Sequence, residues 1–362
     1  MSKKLIFKCP INSLSFGNVS YNFIRNLYYK NVDLALFPVN KNISLDAFEP
    51  VDPDIKKYIL ESIVNRYKKL ERSTTTLNLW HLSGAELKIS DKNLLYTFHE
   101  TGECTQEELN ISKTYDKCLF SSSFSKSYFE KSGLKNAHNI PLGFDEDFHK
   151  IDKPYLGDTI HFGLMGKWEK RKHTSRIIKL WLDKFGDNKD YQLTCCVNNS
   201  FLNKEKIIEL KNEALGGKQY SNINFLPWLQ TNKEVNDYLN SIDIDLGGLS
   251  GGEGWNLPAF NATCLGKWSI VLNHSSHKDW ANKDNSILIE PSGQEPIYDN
   301  TFFLEGQEFN QGYIKTFSDE QFNKSTDIAI EKVKSKTYNK EGSNLKLKFN
   351  YKNTIEQILS LI

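Results

Sequence analysis

Residues 242 to 265 limit the possible folds more than any other stretch. Ile242-Asp243-Ile244-Asp245-Leu246 alternates apolar and acidic residues, the two-residue period of a short strand. It feeds Gly251-Gly252-Glu253-Gly254-Trp255-Asn256-Leu257-Pro258. From there Leu257 to Leu265 reads as a helix with Pro258 in its first turn, where a missing amide hydrogen costs nothing. A strand, a glycine-rich loop and a helix start in such close order make an α/β unit, with free backbone amides and a positive dipole end turned toward any anion in the loop. An ordinary βα turn has the same pattern, so the stretch alone does not fix a ligand.

A second unit repeats the arrangement. Thr159 to Met165 reads as a buried strand and runs into Gly166-Lys167-Trp168-Glu169-Lys170-Arg171-Lys172-His173, with four cations close together at its end. Ile177, Ile178, Trp181, Leu182 and Phe185 follow at helical spacing over Thr174 to Phe185. A lone cation cluster is usually a solvated face. At the carboxyl end of a strand in an α/β pattern it stands where open parallel sheets bind ligands.

The rest of the chain alternates in the same way. Strands are expected at Leu5 to Cys9, Val32 to Val39, Leu77 to Leu82, Leu94 to Phe98 and Lys117 to Ser121, and helices at Tyr21 to Asn31, Ile55 to Leu70 and Phe124 to Ser132, the last capped by Ser123. A second set of strands follows at Tyr191 to Val197, Ile223 to Leu226, Trp268 to Leu272 and Ser286 to Glu290, and Tyr351 to Ile362 has a helical pattern. Two sets imply two doubly wound sheets facing each other across a cleft. At 362 residues the chain has room for two ordinary domains, each with a core.

Charge and cysteine usage exclude several classes. Forty-six Lys and Arg against 45 Asp and Glu leave a net charge of +1, so no global field draws in a polyanion. The cysteines at 9, 104, 118, 195, 196 and 264 lack paired zinc-ligand spacing, and adjacent Cys195 and Cys196 point to opposite faces of a strand. Reduced cysteines, no apolar run near the roughly 18 residues of a membrane span, and no signal peptide at the start together read as a cytoplasmic protein. Asp243 and Asp245 have the spacing of a metal-binding pair but alternate within the strand, and are read as strand-face acids.

The two units together resemble the retaining GT-B glycosyltransferases of the glycogen-synthase-like and sucrose-synthase-like group. In that family a Gly-Arg segment is followed five residues later by Lys; here Gly166-Lys167 precedes Lys172 at that spacing. The family also carries Glu-Gly-Phe-Gly-Leu-Pro with a second Glu eight residues after the first. This chain reads Glu253-Gly254-Trp255-Asn256-Leu257-Pro258, with Asn261 in place of the second Glu. The small-residue helix and strand from Ala262 to Leu272, and a crossing near Ile140-Pro141-Leu142-Gly143-Phe144-Asp145, extend the likeness over roughly residues 5 to 295.

The resemblance implies a GT-B fold with a Rossmann-like acceptor-side domain over 1–150, a Rossmann-like nucleotide-sugar domain over 151–340, and a helix over 341–362 that crosses back to the first. It implies a metal-independent transferase, without a cofactor, that moves a sugar from a nucleoside diphosphate to an acceptor with retention. Lys167 and Lys172 would neutralise the departing diphosphate, and Glu253 would hold hydroxyls of the donor sugar. His99, in Phe98-His99-Glu100-Thr101 at a strand end, would touch the sugar from the acceptor side, with Glu100 beside it. Gly17, Gly252, Gly254, Trp255, Asn256, Leu257 and Asn261 would line the donor site, and Trp228 would lie near the base or in the core. Asn261 can still hydrogen-bond a ribose, without the charge-assisted strength of a carboxylate.

The same residues admit other readings: a catalytically silent nucleotide-sugar-binding protein, a nucleotide-sugar epimerase, or a DNA-base glycosyltransferase of the kind found in bacterial viruses. The acceptor is expected to be a glycan. A nucleic acid is the alternative that lysine-rich Lys167 to Lys172 and Lys332 to Lys348 would serve.

Overall fold

The computed structural model describes residues 3–39, 43–152 and 156–362; Met1 and Ser2, and residues 153–155 near the expected domain boundary, lie outside them. The first sheet holds β1 (Lys4–Cys9), β2 (Asp33–Pro38), β3 (Thr76–Leu79), β4 (Asn93–Thr97), β5 (Lys117–Phe120) and β6 (Ala137–Asn139). Its strands are all parallel and lie in the order β2-β1-β3-β4-β5-β6. The second holds β7 (Ile160–Met165), β8 (Tyr191–Cys196), β9 (Ile223–Phe225), β10 (Ile244–Asp245), β11 (Trp268–Leu272) and β12 (Ile287–Ile289). These too are parallel, in the order β12-β11-β10-β7-β8-β9. The expected α/β architecture of two doubly wound sheets is present, and with it the GT-B fold.

Each sheet has one place where the chain reverses its direction of growth, and there the loops leaving neighbouring strands part to open a crevice. In the first sheet it lies between β1 and β3, and in the second between β7 and β10. The glycine loop follows β10 and the basic loop follows β7, so a topological rule places the two sequence units side by side.

Packing follows the apolar pattern. Ile177, Ile178, Trp181, Leu182 and Phe185 of the helix Thr174–Phe185 are all buried against Phe162, Leu164 and Ile244. Full burial of an aliphatic side chain such as Ile177 stabilises by roughly 1.5–3 kcal/mol. The C-terminal helix Tyr351–Ser360 packs on the helix Ser15–Tyr29 beside the first sheet, with Tyr351 edge-on to Phe23 at 6.0 Å. One apolar cluster runs from the first sheet through Phe349 and Tyr351 to Trp255, Phe260 and Trp280.

The crossing segment between the sheets is held by two asparagine stripes. Asn18, Asn22 and Asn26 lie four residues apart on one helix, and Asn232, Asn236 and Asn240 repeat that spacing on the helix Asn232–Ser241. Asn18 Nδ2 donates to Asn232 Oδ1 at 3.0 Å. Asn22 holds Asp145 at 3.0 Å, Asn236 accepts from the His149 amide at 3.0 Å and Asn240 from the Ile151 amide at 2.8 Å. Buried Arg25 adds Asp147 at 2.6 Å and Glu146 at 3.3 Å.

Several boundaries differ from expectation for local reasons. The first helix starts at Ser15 rather than Tyr21, because Asn12 Oδ1 takes the Leu14 amide at 2.9 Å and so turns the chain without a capping side chain on Leu14. The second ends at Val64 instead of Leu70. Ser122, not Ser123, caps Ser123–Lys131, its hydroxyl accepting from the Ser125 amide. Helices Gln106–Lys113, Lys204–Ala214 and Asp319–Lys334 and a hairpin of β13 (Gly293–Pro296) with β14 (Tyr313–Thr316) were not anticipated. Among the described residues no helix is long and apolar enough to cross a membrane.

Candidate active site

The glycine loop, basic loop and the segment after β4 meet at one buried ion cluster. The Arg171 guanidinium, with its side chain 5% exposed, donates to Gly252 O at 2.6 Å and lies 3.0 Å from Glu169, 3.1 Å from Glu253 and 3.3 Å from Glu100. Lys172 Nζ donates to Glu253 Oε1 at 2.6 Å. Burial acts to raise the Glu253 carboxyl, but the Arg171 and Lys172 charges override it and hold its pKa at about 2. Burial also acts on Glu100; with Glu253 and Glu169 nearby it raises that carboxyl against the pull of Arg171. Glu253 therefore stays ionised, and Glu100 takes up a proton more readily than Glu253.

Lys167 stands apart from this pair. Its ammonium lies over the rings of Phe201 and Phe302, 4.9 and 5.2 Å from their centroids, and 3.8 Å from Glu169. Beyond it, a cavity of about 410 Å³ is lined by Asn198, Asn199, Lys204, Lys211 and half-buried Trp228. Asn199 ties this cavity to the basic loop by donating to Trp168 O at 3.1 Å.

The glycine loop is pressed against the first half of the chain. A Cβ on Gly254 would stand 2.8 Å from Phe98 Cβ, and one on Gly252 would collide with the Glu100 carbonyl oxygen. Ser121 Oγ donates to Gly254 O at 2.7 Å, and Asp279 receives the Ser123 amide at 2.7 Å. Gly252→Ala is thus expected to force the loop off residues 98–100, lowering the melting temperature and the affinity for any ligand of the ion cluster. Circular dichroism melts and ligand thermal shifts on the same variant measure both.

Asn256 takes the left-handed conformation with φ of 67° at the start of the helix Leu257–Cys264. That region is open to glycine and, among other residues, mainly to asparagine and aspartate, which explains Asn256 where the resembling family has Gly. Its Nδ2 donates to Gly247 O and to His277 Nε2, each at 2.9 Å. Burial holds the His277 pKa down at about 4, so the ring stays neutral and can accept. Asn261 is buried one turn further on, and its Oδ1 has no partner.

Not every anticipated residue faces this site. Trp255 is buried among Phe260, Phe349 and Trp280 rather than in the loop's open side, while its carbonyl accepts from Trp280 Nε1 at 3.1 Å. Leu257 packs on the same cluster. Gly17 lies in the first turn of Ser15–Tyr29, where the space for a side chain is filled by Asn12; the loop position expected for it is corrected. His99 turns inward: its Nε2 is 2.6 Å from Glu103 O and 3.0 Å from Thr101 Oγ1, and its ring meets Phe129 edge-on at 5.0 Å. Asp245 is fully buried in the second sheet, where burial raises its pKa to about 6. Among the described residues no group of three or more His, Cys, Asp or Glu is placed to hold a metal ion.

Two site residues lay outside the sequence reading. Arg171 sits inside the counted cation cluster, but the motif spacing from Gly166 to Lys172 passes over it. His81 follows β3, with its ring 4.3 Å from that of Phe16 and 5.3 Å from that of Trp80.

No family model matches this chain, and no curated protein sequence does. Solved structures match along its whole length. Sucrose-phosphate synthase from Thermosynechococcus elongatus superposes with a TM-score of 0.69 at 11% identity, covering 99% of this chain and 98% of that one. HepE from Anabaena, solved with UDP-glucose, gives 0.65 at 12% over 99% and 100%. The lipopolysaccharide outer core galactosyltransferase WaaB gives 0.61 at 13% over the full length of both. These neighbours are GT-B glycosyltransferases, and the chain shares their fold.

Proposed function

We propose that the chain is a nucleotide-sugar-dependent glycosyltransferase: residues 151–340 bind the donor, residues 1–150 face the acceptor, and 341–362 tie the second part to the first. The observation that carries this reading is the Arg171–Lys172–Glu253 cluster at the switch point of the second sheet, beside a helix start that lacks a side-chain cap. Support comes also from the fold, which is shared with a protein solved in complex with UDP-glucose.

In the reaction the bond from the anomeric carbon to the diphosphate oxygen breaks and its electron pair leaves with the phosphate. The acceptor oxygen bonds to the anomeric carbon, and its proton passes to the departing phosphate. Negative charge accumulates on the leaving group, so groups already placed to receive it lower the barrier most. Lys172 suits the task because Glu253 is held by two cations. The ammonium can swing to a phosphate while Arg171, 3.1 Å from Glu253, keeps that buried carboxylate paired. Lys167, on its aromatic rest, is the second phosphate partner, and Glu253 and the amides near Leu257 hold sugar hydroxyls. Asn261 Oδ1, buried without a partner, is an acceptor for a ribose hydroxyl. Retention and freedom from metal follow from the family likeness and belong to this proposal, as does a cytoplasmic setting.

The test is a thermal-shift and hydrolysis screen against UDP-, GDP-, ADP- and TDP-sugars, with and without EDTA. One donor is expected to raise the melting temperature and to be slowly hydrolysed in EDTA. A shift without turnover identifies a silent binding protein, and no shift with any donor overturns the reading.

A further inference from the structure

The second crevice of this fold lies between β1 and β3 of the first sheet, and three aromatic side chains line it. Phe16 comes from the first turn after β1, and Trp80 and His81 come directly after β3. The Phe16 ring centroid lies 4.3 Å from that of His81, 4.3 Å from that of Phe98 and 5.8 Å from that of Trp80. A switch point is where the loops of an open sheet leave room for a ligand.

The chemistry of the wall is specific. Phe16 is buried, while Trp80 is half-buried and His81 exposed. Among the described residues neither the Trp80 indole N–H nor the His81 ring makes a hydrogen bond within the protein. Gly84, at φ of +83°, passes beside the indole N–H, and a Cβ there would stand 3.4 Å from it. An aromatic face flanked by free hydrogen-bonding groups matches a pyranose. Its axial C–H bonds carry partial positive charge toward the negative ring face, while its equatorial hydroxyls reach outward. Nearby Lys8 donates to Leu87 O at 3.3 Å and has Glu86 beside it, so that ammonium is not free to track a phosphate backbone.

We infer that the Phe16–Trp80–His81 corner binds the sugar ring of a saccharide acceptor, and that His81, not inward-turned His99, is the histidine that meets the acceptor hydroxyl. This rests on the transferase reading for its role, while the binding itself is testable alone. Each His81 ring nitrogen can donate to or accept from a sugar hydroxyl, according to tautomer.

Saturation-transfer NMR with methyl α-glucopyranoside, methyl β-galactopyranoside and maltose, without donor, reads the site directly. Wild type is expected to transfer saturation to the ring C–H protons of at least one of them. Trp80→Ala should cut the signal at least fivefold, and Tyr29→Ala, an exposed aromatic at the far end of the helix that begins beside Phe16, should leave it intact. His81→Ala should raise the acceptor KM, with partial rescue by His81→Gln, while the donor-induced thermal shift of Trp80→Ala shows that its fold and donor site persist. An unchanged signal in Trp80→Ala, no saccharide signal in wild type, or a signal only from a single-stranded oligonucleotide overturns the inference. Failure of every nucleotide sugar to shift wild type overturns the transferase reading instead.

Discussion

Lys172→Ala is expected to lower donor cleavage by about 10²–10³-fold, the loss seen when one preorganised charge donor is removed from a transition state. The fold should persist. Lys172 is a partial surface group, its side chain 13% exposed, and Glu253 keeps Arg171 at 3.1 Å when the ammonium is gone. The melting temperature should therefore move little, while the stabilisation by a nucleoside diphosphate falls. Lys172→Arg should restore part of the rate, since charge is kept but the planar guanidinium does not reproduce the compact ammonium. Steady-state kinetics with the donor from the screen, beside melts of each variant, provide the measurement. Cleavage within threefold of wild type in Lys172→Ala would place the charge-neutralising group elsewhere, with Lys167 the next to test.

Much of this site was legible before the structure. Both loops announce themselves because a strand period ends abruptly in glycines or cations, and helix Thr174–Phe185 because its apolar stripe is unbroken. What escaped depends on distance in the chain. Sequence spacing singles out Lys172 but passes over Arg171, whose importance comes from Glu100 and Glu253, contributed by two other loops. The choice between two strand-end histidines is also non-local. β3 borders the switch point and β4 lies one strand further in; His81 is exposed, whereas His99 is buried against Glu103 O. The β13–β14 hairpin was missed because its strands, Gly293–Pro296 and Tyr313–Thr316, lack an alternating apolar face. It is held by contacts instead: Lys170 donates to Pro296 O at 2.6 Å, and Thr105 Oγ1 reaches Glu308 O at 2.7 Å.

Arg171→Met is expected to be the most destabilising single change at the site. Arg171, Glu169 and Glu253 have side chains only 5%, 4% and 4% exposed. Breaking a buried pair by removing one partner costs about 3–5 kcal/mol, because the remaining charge keeps its desolvation penalty and loses its compensation. Lys172 still pairs Glu253 at 2.6 Å, so the cost falls mainly on Glu169, whose nearest other cation, Lys167, is 3.8 Å away. For a chain of this size a fall of roughly 4–7 °C in melting temperature follows.

The pH dependence gives the cause away. Glu100, already raised by burial and by the Glu253 and Glu169 charges, loses the pull of Arg171 in the variant and rises further above its unfolded value, so the variant gains stability as pH falls toward that unfolded value. The gap between wild type and Arg171→Met should then be wide at pH 8 and narrow at pH 5.5. Adding Glu169→Gln should recover part of the loss, a coupling that a double-mutant cycle isolates. A gap that stays constant with pH, or a double variant no more stable than Arg171→Met, would mean that the loss comes from the Arg171 bond to Gly252 O and from packing, not from the buried charge.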